Sequence, residues 1–144
     1  MKKMKGFTLI ELIVVISLMS IFLLIAIPKI GFYIRFNEHQ QIRQIKKDIL
    51  YAKTQAIVKG NIHKFSYDAI NNSYSIQENA TVIKRVYLKN GLEFSYKGSG
   101  TEITFSRTGA PSNGDTINLH NKNKKKYKIT ITPVVGKVNI KEIK

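Results

Sequence analysis

The sequence of residues 5–28 is KGFTLIELIVVISLMSIFLLIAIP. Two serines, one threonine and a single carboxylate, Glu11, are the only polar residues between Phe7 and Ile27. A helix of this length is roughly 31 Å long, about the thickness of the hydrocarbon core of a bilayer. The alternative, a soluble helix apolar on every side, would need a large core around it, and a chain of 144 residues supplies too little for one. Segment 7–27 therefore predicts a membrane-spanning helix.

The charge of the chain restricts its partners and its orientation. It carries 24 Lys and Arg against 9 Asp and Glu, a formal net charge of +15, which favours anionic partners such as nucleic acid, lipid head groups or acidic polymers. Three lysines precede the apolar segment, whereas Lys29 and Arg35 follow it. This asymmetry predicts a single pass through the cell membrane with a cytoplasmic N-terminus. The absence of cysteine excludes a disulfide framework and a thiolate metal site.

No residue pattern in the sequence predicts catalysis or a cofactor. His39, His63 and His120 lie far apart in sequence and have no metal-ligand spacing. Phosphate-binding loops, nucleophile elbows and nucleophilic cysteines have no counterpart in the chain. Asp115 follows Asn113 and a glycine in a turn that lacks the alternating acidic ligands of a calcium loop. We therefore expect neither an enzyme nor a metal or cofactor site.

The position of Gly6 distinguishes this N-terminus from an ordinary secretory signal. A secretory signal has its small-residue cleavage site after the apolar stretch, whereas Gly6 lies before it. Four elements resemble the leader junction of type IV prepilins and pseudopilins: the basic leader of residues 1–6, Phe7 directly after it, Glu11 as the fifth residue beyond the leader, and Pro28. The resemblance implies that a prepilin peptidase cleaves after Gly6 and methylates the new amine of Phe7. It also implies other pilin subunits and an inner-membrane assembly platform as partners, and a final location in a surface filament.

Glu11 needs a partner, because a carboxylate inside a membrane helix costs up to about 3 kcal/mol. In the family that the leader resembles, this partner is the N-terminal amine of a neighbouring subunit, here Phe7. At about 4 Å and an effective dielectric constant near 20, such a pair is worth on the order of 4 kcal/mol before desolvation. The alternative is that Glu11 extends to the head groups or pairs with its own amine. We expect Glu11 to act in assembly.

The helical period continues beyond the apolar segment. Gly60-Asn61 is a stop signal, so one helix is predicted over residues 7–60. Pro28 should bend or open it, because proline removes a backbone hydrogen bond and clashes with the preceding turn. Apolar residues at spacings of three and four form one stripe: Ile42, Ile45, Ile49, Ala52 and Ala56. We expect a β domain to pack on this stripe.

From Ile62 the apolar period changes to two, which is typical of β-strands. A hairpin is predicted around Asn71-Asn72, and alternation after Asn90-Gly91 extends through Tyr96. With the later alternating segments, about eight short strands are predicted. The fold is therefore predicted as α+β, with a long N-terminal helix packed against an antiparallel domain over residues 61–144. The inner face of the sheet would cover either the helix or a second sheet.

The C-terminal part of the chain resembles particular subclasses of the pilin and pseudopilin family. Residues 103–140 are similar to the C-terminal pattern of the minor pseudopilins of the type II secretion H class, their type IV pilus relatives and the competence pseudopilins of Gram-positive bacteria. The matching elements are Phe105, Gly109, Gly114 and the segments 116–119 and 136–138. Major subunits commonly carry a disulfide loop or a calcium loop near the C-terminus, and this chain has neither cysteine nor a calcium motif. The resemblance therefore implies a minor subunit.

A dense group of lysines suggests a second activity. Its members surround one tyrosine: Lys122, Lys124, Lys125, Lys126 and Lys128. On a loop between two strands they would form a flexible cationic arm that binds phosphates without sequence preference. The alternative is a solvated loop that protects a sheet edge from aggregation. Two functions are open: a minor pilin or pseudopilin that initiates or caps a filament of the competence or type II secretion type, and a DNA-binding minor pilin acting in DNA uptake.

Overall fold

The computed structural model describes residues 6–26, 30–89, 91–95, 102–122 and 124–143. The chain divides into two units, Met1–Phe36 and Asn37–Lys144. Helix α1, Leu9–Ala26, lies in the first unit. Helix α2, Ile30–Lys59, begins in the first unit and continues into the second. The predicted bend at Pro28 lies outside the described residues, and within them no helix combines the length and the apolar character of a membrane span.

The end of α2 and its apolar stripe follow the sequence prediction. The helix ends at Lys59, and Gly60 has a φ of +63°, a left-handed conformation that costs glycine little. All five predicted stripe residues are buried, none more than 2% exposed. Because two of them are alanines, the backbone of α2 can come close to the strands that cover it. The stripe is therefore the helical part of the core, as expected.

Eight strands are described in the second unit, and their bounds are β1 His63–Asp68, β2 Ser73–Glu78, β3 Thr81–Tyr87, β4 Leu92–Phe94, β5 Glu102–Phe105, β6 Asp115–Asn121, β7 Lys126–Ile131 and β8 Val138–Ile143. They form two four-stranded antiparallel sheets with the orders β3-β2-β1-β5 and β4-β6-β7-β8. One hydrophobic core contains residues of α2 and of both sheets. The inner faces of both sheets therefore share one core with the helix. The α+β prediction is confirmed. Tyr96 lies outside the described residues.

Aromatic stacking and one turn residue join the two sheets. Tyr67 of the first sheet stacks on Phe94 of the second, with ring centroids 5.2 Å apart. Asn72 lies in the β1–β2 turn with a φ of +46°, a conformation that asparagine tolerates better than most residues. Its Nδ2 donates to the Leu92 carbonyl at 2.8 Å, and its Oδ1 accepts from the Phe94 amide at 3.1 Å. The predicted hairpin turn therefore also fixes the first strand of the second sheet.

Candidate assembly and binding sites

The predicted cleavage site is accessible. Gly6 has no atom within 4 Å of the position that a Cβ would occupy, and Phe7 is 82% exposed. Glu11 is exposed as well and lies in the first turn of α1. An exposed segment outside regular structure is the kind of backbone that proteases cleave. The three residues predicted for processing and assembly thus lie at, or directly before, the start of α1.

Thr8 and Glu11 cap the start of α1. The Glu11 amide donates to Thr8 Oγ1 at 3.4 Å, and the Thr8 amide donates to Glu11 Oε2 at 3.3 Å. The Thr8 hydroxyl donates to the same carboxylate oxygen at 3.3 Å. This reciprocal arrangement is a capping box, which satisfies amide groups that have no partner within the helix. The role of Thr8 was not predicted, although threonine followed three residues later by glutamate is a recognisable sequence signal of a capping box.

The apolar side chains of α1 that the structure describes, from Leu9 to Leu24, are uncovered within the first unit. The exposed fraction of these side chains runs from 46% at Val15 to 79% at Leu24. The hydroxyls of Ser17 and Ser20 donate to carbonyls one turn earlier, at 2.8 Å each, so these polar groups are satisfied inside the helix. Exposed apolar surface of this extent marks a site of contact with other molecules.

The lysine group does not form a single loop. Lys126 and Lys128 belong to strand β7. The side chain of Lys122 lies over the turn before β4, where a Cβ added to Gly91 would be 2.6 Å from Lys122 Cγ. Lys125 forms an ion pair with Glu142 of β8 at 2.9 Å. Lys124 lies between β6 and β7 with a φ of +60°, and its amide donates to the Asn121 carbonyl at 3.0 Å. The five lysines therefore lie in different surroundings.

One face of the second sheet collects three lysines. Lys126 and Lys128 alternate along β7 with the buried Tyr127 and Ile129, so both lie on the outward face of the sheet. Lys128 is the register partner of Lys141 in β8, which brings these two cations side by side on that face. Only the pairing of β7 with β8 brings Lys141 to the others, so its place on this face has no signal in the sequence. We call Lys126, Lys128 and Lys141 the outer lysine face.

A buried carboxylate anchors the hairpin between β6 and β7. Glu38 of α2 and Asn121 of β6 are 3% and 2% exposed. Asn121 Nδ2 donates to both carboxylate oxygens of Glu38, at 3.2 and 3.1 Å, and the Tyr127 hydroxyl lies 3.4 Å from Oε2. Asn121 Oδ1 accepts from the Lys125 amide at 2.9 Å. The hairpin is thus held to the helix at its base. Nothing in the sequence indicated the pairing of these distant residues.

A second buried carboxylate, Asp48, joins α2 to the first sheet. It is 4% exposed and accepts hydrogen bonds from the Tyr74 hydroxyl at 2.6 Å and from Lys84 Nζ at 2.6 and 2.8 Å. Gln44 Nε2 donates to the same group at 3.1 Å. Burial, together with Asp48, raises the pKa of Tyr74 far above its ordinary range, so this phenol stays a donor. These contacts satisfy the buried carboxylate and tie α2 to the first sheet.

The structure places the histidines in different parts of the second unit. Within the part of the chain that the structure describes, no three residues among His, Cys, Asp and Glu lie close enough to hold a metal ion. His63 is buried, with its Nδ1 3.3 Å from the Asn61 carbonyl and its Nε2 3.8 Å from Glu78. His120 lies on the outward face of the second sheet, 3.4 Å from Glu93. The ring centroids of His39 and Tyr127 are 6.1 Å apart, so the three histidines have separate environments.

Comparison with known proteins shows where this architecture occurs. Residues 1–27 match the family described as the prokaryotic N-terminal methylation motif. Competence protein ComGD of Bacillus subtilis is 30% identical over 137 residues, which covers 94% of this chain and 92% of that protein.

Two solved structures have a similar fold. The minor pseudopilin EpsH from the type 2 secretion system of Vibrio cholerae matches with a TM-score of 0.58 at 13% identity, over 72% of this chain and 95% of that one. The type IV minor pilin FimU of Pseudomonas aeruginosa matches with a TM-score of 0.55 at 14% identity, over 74% and 92%. The resemblance of the leader is confirmed by these relatives together, and this chain belongs to the type IV pilin and pseudopilin family.

Proposed function

We propose that this chain is a minor subunit of a competence-type filament, which it helps to initiate or cap. The observation that carries the proposal is the likeness to a competence protein across 94% of the chain. The folds of a minor pseudopilin and a minor pilin, which match most of the chain, support a minor role. No catalytic step is part of this function.

The N-terminal segment supplies the membrane anchor before assembly. Lysines precede the apolar series of residues 7–27, which favours a cytoplasmic N-terminus. The uncovered apolar surface of α1 supports an environment of lipid first and of neighbouring helices later. A prepilin peptidase cleaves between Gly6 and Phe7 and methylates the new amine. The chain then passes from the cell membrane, through an assembly platform, into a surface filament with other subunits.

Glu11 holds the neighbouring subunit in register. The capping box engages Oε2 of its carboxylate, and within the described residues Oε1 accepts no hydrogen bond. A carboxylate has about four lone-pair sites, so Glu11 can cap its own helix and accept a neighbouring ammonium group at the same time. The capping box also directs the carboxylate toward the start of the helix, where the amine of a processed chain would lie. An ammonium partner about 4 Å away would contribute on the order of 4 kcal/mol at an effective dielectric constant near 20, before desolvation.

The test is Glu11→Ala in cells that carry the peptidase, with Ser20→Ala as a control within the same helix. Mass analysis of the N-terminus should show methylated Phe7 in both variants. Only the Glu11→Ala protein should fail to enter filaments, and only this substitution should abolish transformation. Normal incorporation of the Glu11→Ala protein into filaments would refute the pairing of Glu11 with a neighbouring amine. An intact Met1 in the mature protein would refute the processing. If loss of the protein abolished protein secretion but left transformation normal, the filament would belong to a secretion system and not to a competence system.

DNA binding is a second candidate function, and the outer lysine face favours it. Lys126, Lys128 and Lys141 lie on one face of two adjacent strands, and this face includes residues of the lysine group that the sequence analysis singled out. Lysines on a flat surface attract phosphates by charge, without reading base edges. Binding should therefore be weak, independent of sequence and strongly dependent on salt.

Two triple variants of the full chain in detergent distinguish DNA binding from the alternative that these lysines only keep the protein soluble. Each phosphate contact contributes about −0.9 to the slope of log K against log salt, so glutamine at all three positions of the outer lysine face should reduce the slope by roughly two to three. The matched control replaces Lys122, Lys124 and Lys125, which carry the same total charge. Equal slopes for the wild type and the outer-face variant would refute DNA binding at this face.

A further inference from the structure

The outward face of the first sheet contains a polar cleft. Its volume is about 320 Å³, close to the lower limit of cavities that bind small molecules. Residues of β1, β2 and β3 and of the β1–β2 turn line it, and those that matter here are Ser66, Asn71, Ser73, Ser75, Arg85 and Tyr87. The cleft lies entirely within the second unit.

The registers of the three strands explain its shape. Ser66 pairs with Ser75, and Ser75 pairs with Arg85 of β3. In the next row along the strands, Ser73 pairs with Tyr87. The small serines of the two inner strands leave a trough, and the long side chains of β3 form one wall of it. Strand positions usually favour β-branched or aromatic residues, and the three serines leave open the space that such larger side chains would fill.

The hydroxyl groups in this trough have no partner in the part of the protein that the structure describes. Ser73 and Ser75 are only 6% and 9% exposed, and no hydrogen bond of their hydroxyls, or of those of Ser66 and Tyr87, is present there. Ser106 shows the usual arrangement, with its Oγ 2.8 Å from the Thr108 hydroxyl. These hydroxyls line the open cleft, so they are available to donate to, or accept from, a molecule bound in it.

Two charged residues, Asp68 and Arg85, line the cleft. Lys64 and Glu102, on the same outward face, form an ion pair at 3.4 Å. The Asp68 carboxylate accepts from Asn71 Nδ2 at 2.6 Å and from two backbone amides of its own turn. The Asn71 hydrogen bonds and, to a smaller extent, the charge of Arg85 lower the pKa of Asp68. Among the described residues, Arg85 has no ion pair within 4 Å, so its guanidinium group can bind an anion.

We propose that this cleft binds a phosphorylated sugar. The guanidinium group of Arg85 matches two oxygens of a phosphate, which is the geometry that arginine recognises best. The serine hydroxyls both donate and accept, so they suit the hydroxyls of a sugar ring. Tyr87, which is 56% exposed, provides a flat apolar surface for the face of that ring. The site is independent of the filament role and of the outer lysine face.

The test is a titration of the full ¹⁵N-labelled chain in detergent micelles with glucose 6-phosphate, with glucose and inorganic phosphate as separate probes. The amide signals of Ser73, Ser75 and Arg85 should shift to saturation with the sugar phosphate, at concentrations about tenfold lower than with either fragment. Arg85→Gln should weaken binding by about tenfold or more. Arg107→Gln removes the same charge from an exposed turn outside the cleft and should leave binding unchanged.

A second variant tests the trough itself. Ser75→Val keeps a residue favoured in strands but fills the cleft, so it should abolish saturation while the remaining spectrum stays folded. The proposal is overturned if no signal saturates, if the shifts follow surface lysines instead of the cleft, or if Arg85→Gln and Arg107→Gln behave alike. Tighter binding of duplex DNA than of sugar phosphate at these same residues would also overturn it, since the cleft would then be a nucleic-acid site.

Discussion

Replacing Asn121 by alanine removes the donors that hold a buried carboxylate. Asn121 Nδ2 donates to both oxygens of Glu38, which is 3% exposed. Of the donors that the structure describes, the Tyr127 hydroxyl at 3.4 Å would be left. A hydrogen bond to a charged group contributes about 1.5–3 kcal/mol, and leaving the charge unpaired adds to this. We therefore expect Asn121→Ala to lower the free energy of unfolding by about 3 kcal/mol.

Urea unfolding of the full chain in detergent measures this change, with the near-ultraviolet circular dichroism of the buried tyrosines as the signal. If unfolding depends on urea with a slope of about 1.5 kcal/mol per M, the midpoint should fall by about 2 M. Asn139→Ala is the matched control, because Asn139 is an exposed residue of β8 without a described side-chain hydrogen bond. A midpoint for Asn121→Ala that equals that of the control would refute the anchoring role of Glu38.

Three further predictions concern the start of α1, a close contact and an ion pair. Thr8→Val removes the capping hydroxyl and should cost about 1 kcal/mol of helix stability, so the Glu11 amide should exchange faster; unchanged exchange would contradict the capping box. Gly109→Ala should lower the thermal midpoint of the second unit, because Gly109 has a φ of +78° and its Cβ would lie 2.6 Å from Ile57 Cδ1; an unchanged midpoint would contradict this close packing. Hydrogen bonds from Lys59 and Asn61 lower the pKa of Glu78 below its ordinary 4.5, so the stability they supply is present above that pH and is lost as the pH falls through the folded value. Glu78→Gln should therefore make the free energy of unfolding depend less on pH below 4.5. An unchanged pH dependence in an acid titration would count against the ion pair of Glu78 with Lys59.

The sequence was sufficient wherever the signal is local. The apolar period of α2, the glycine after Lys59 and the asparagine turn at residues 71 and 72 each act within a few residues, so the helix end, the core stripe and the first hairpin could be predicted. The leader junction is a contiguous motif and led to the correct family. Glu11 was singled out because it stands alone among apolar residues, but its capping partner Thr8 was overlooked.

Only the tertiary structure determines which residues share a surface and which are buried. Lys141 joins Lys128 only because β7 and β8 pair in one particular register, and Lys125 is separated from that face by its contact with Glu142. Glu38 and Asn121 resemble ordinary surface residues in sequence, and their burial depends on the packing of α2 against the second sheet. The two-sheet arrangement has the same cause, since period-two alternation places a side chain on one face of a strand but does not specify which strand lies beside it. Neighbouring strands are chosen by contacts between residues distant in sequence, and a single sequence contains no local signal for them.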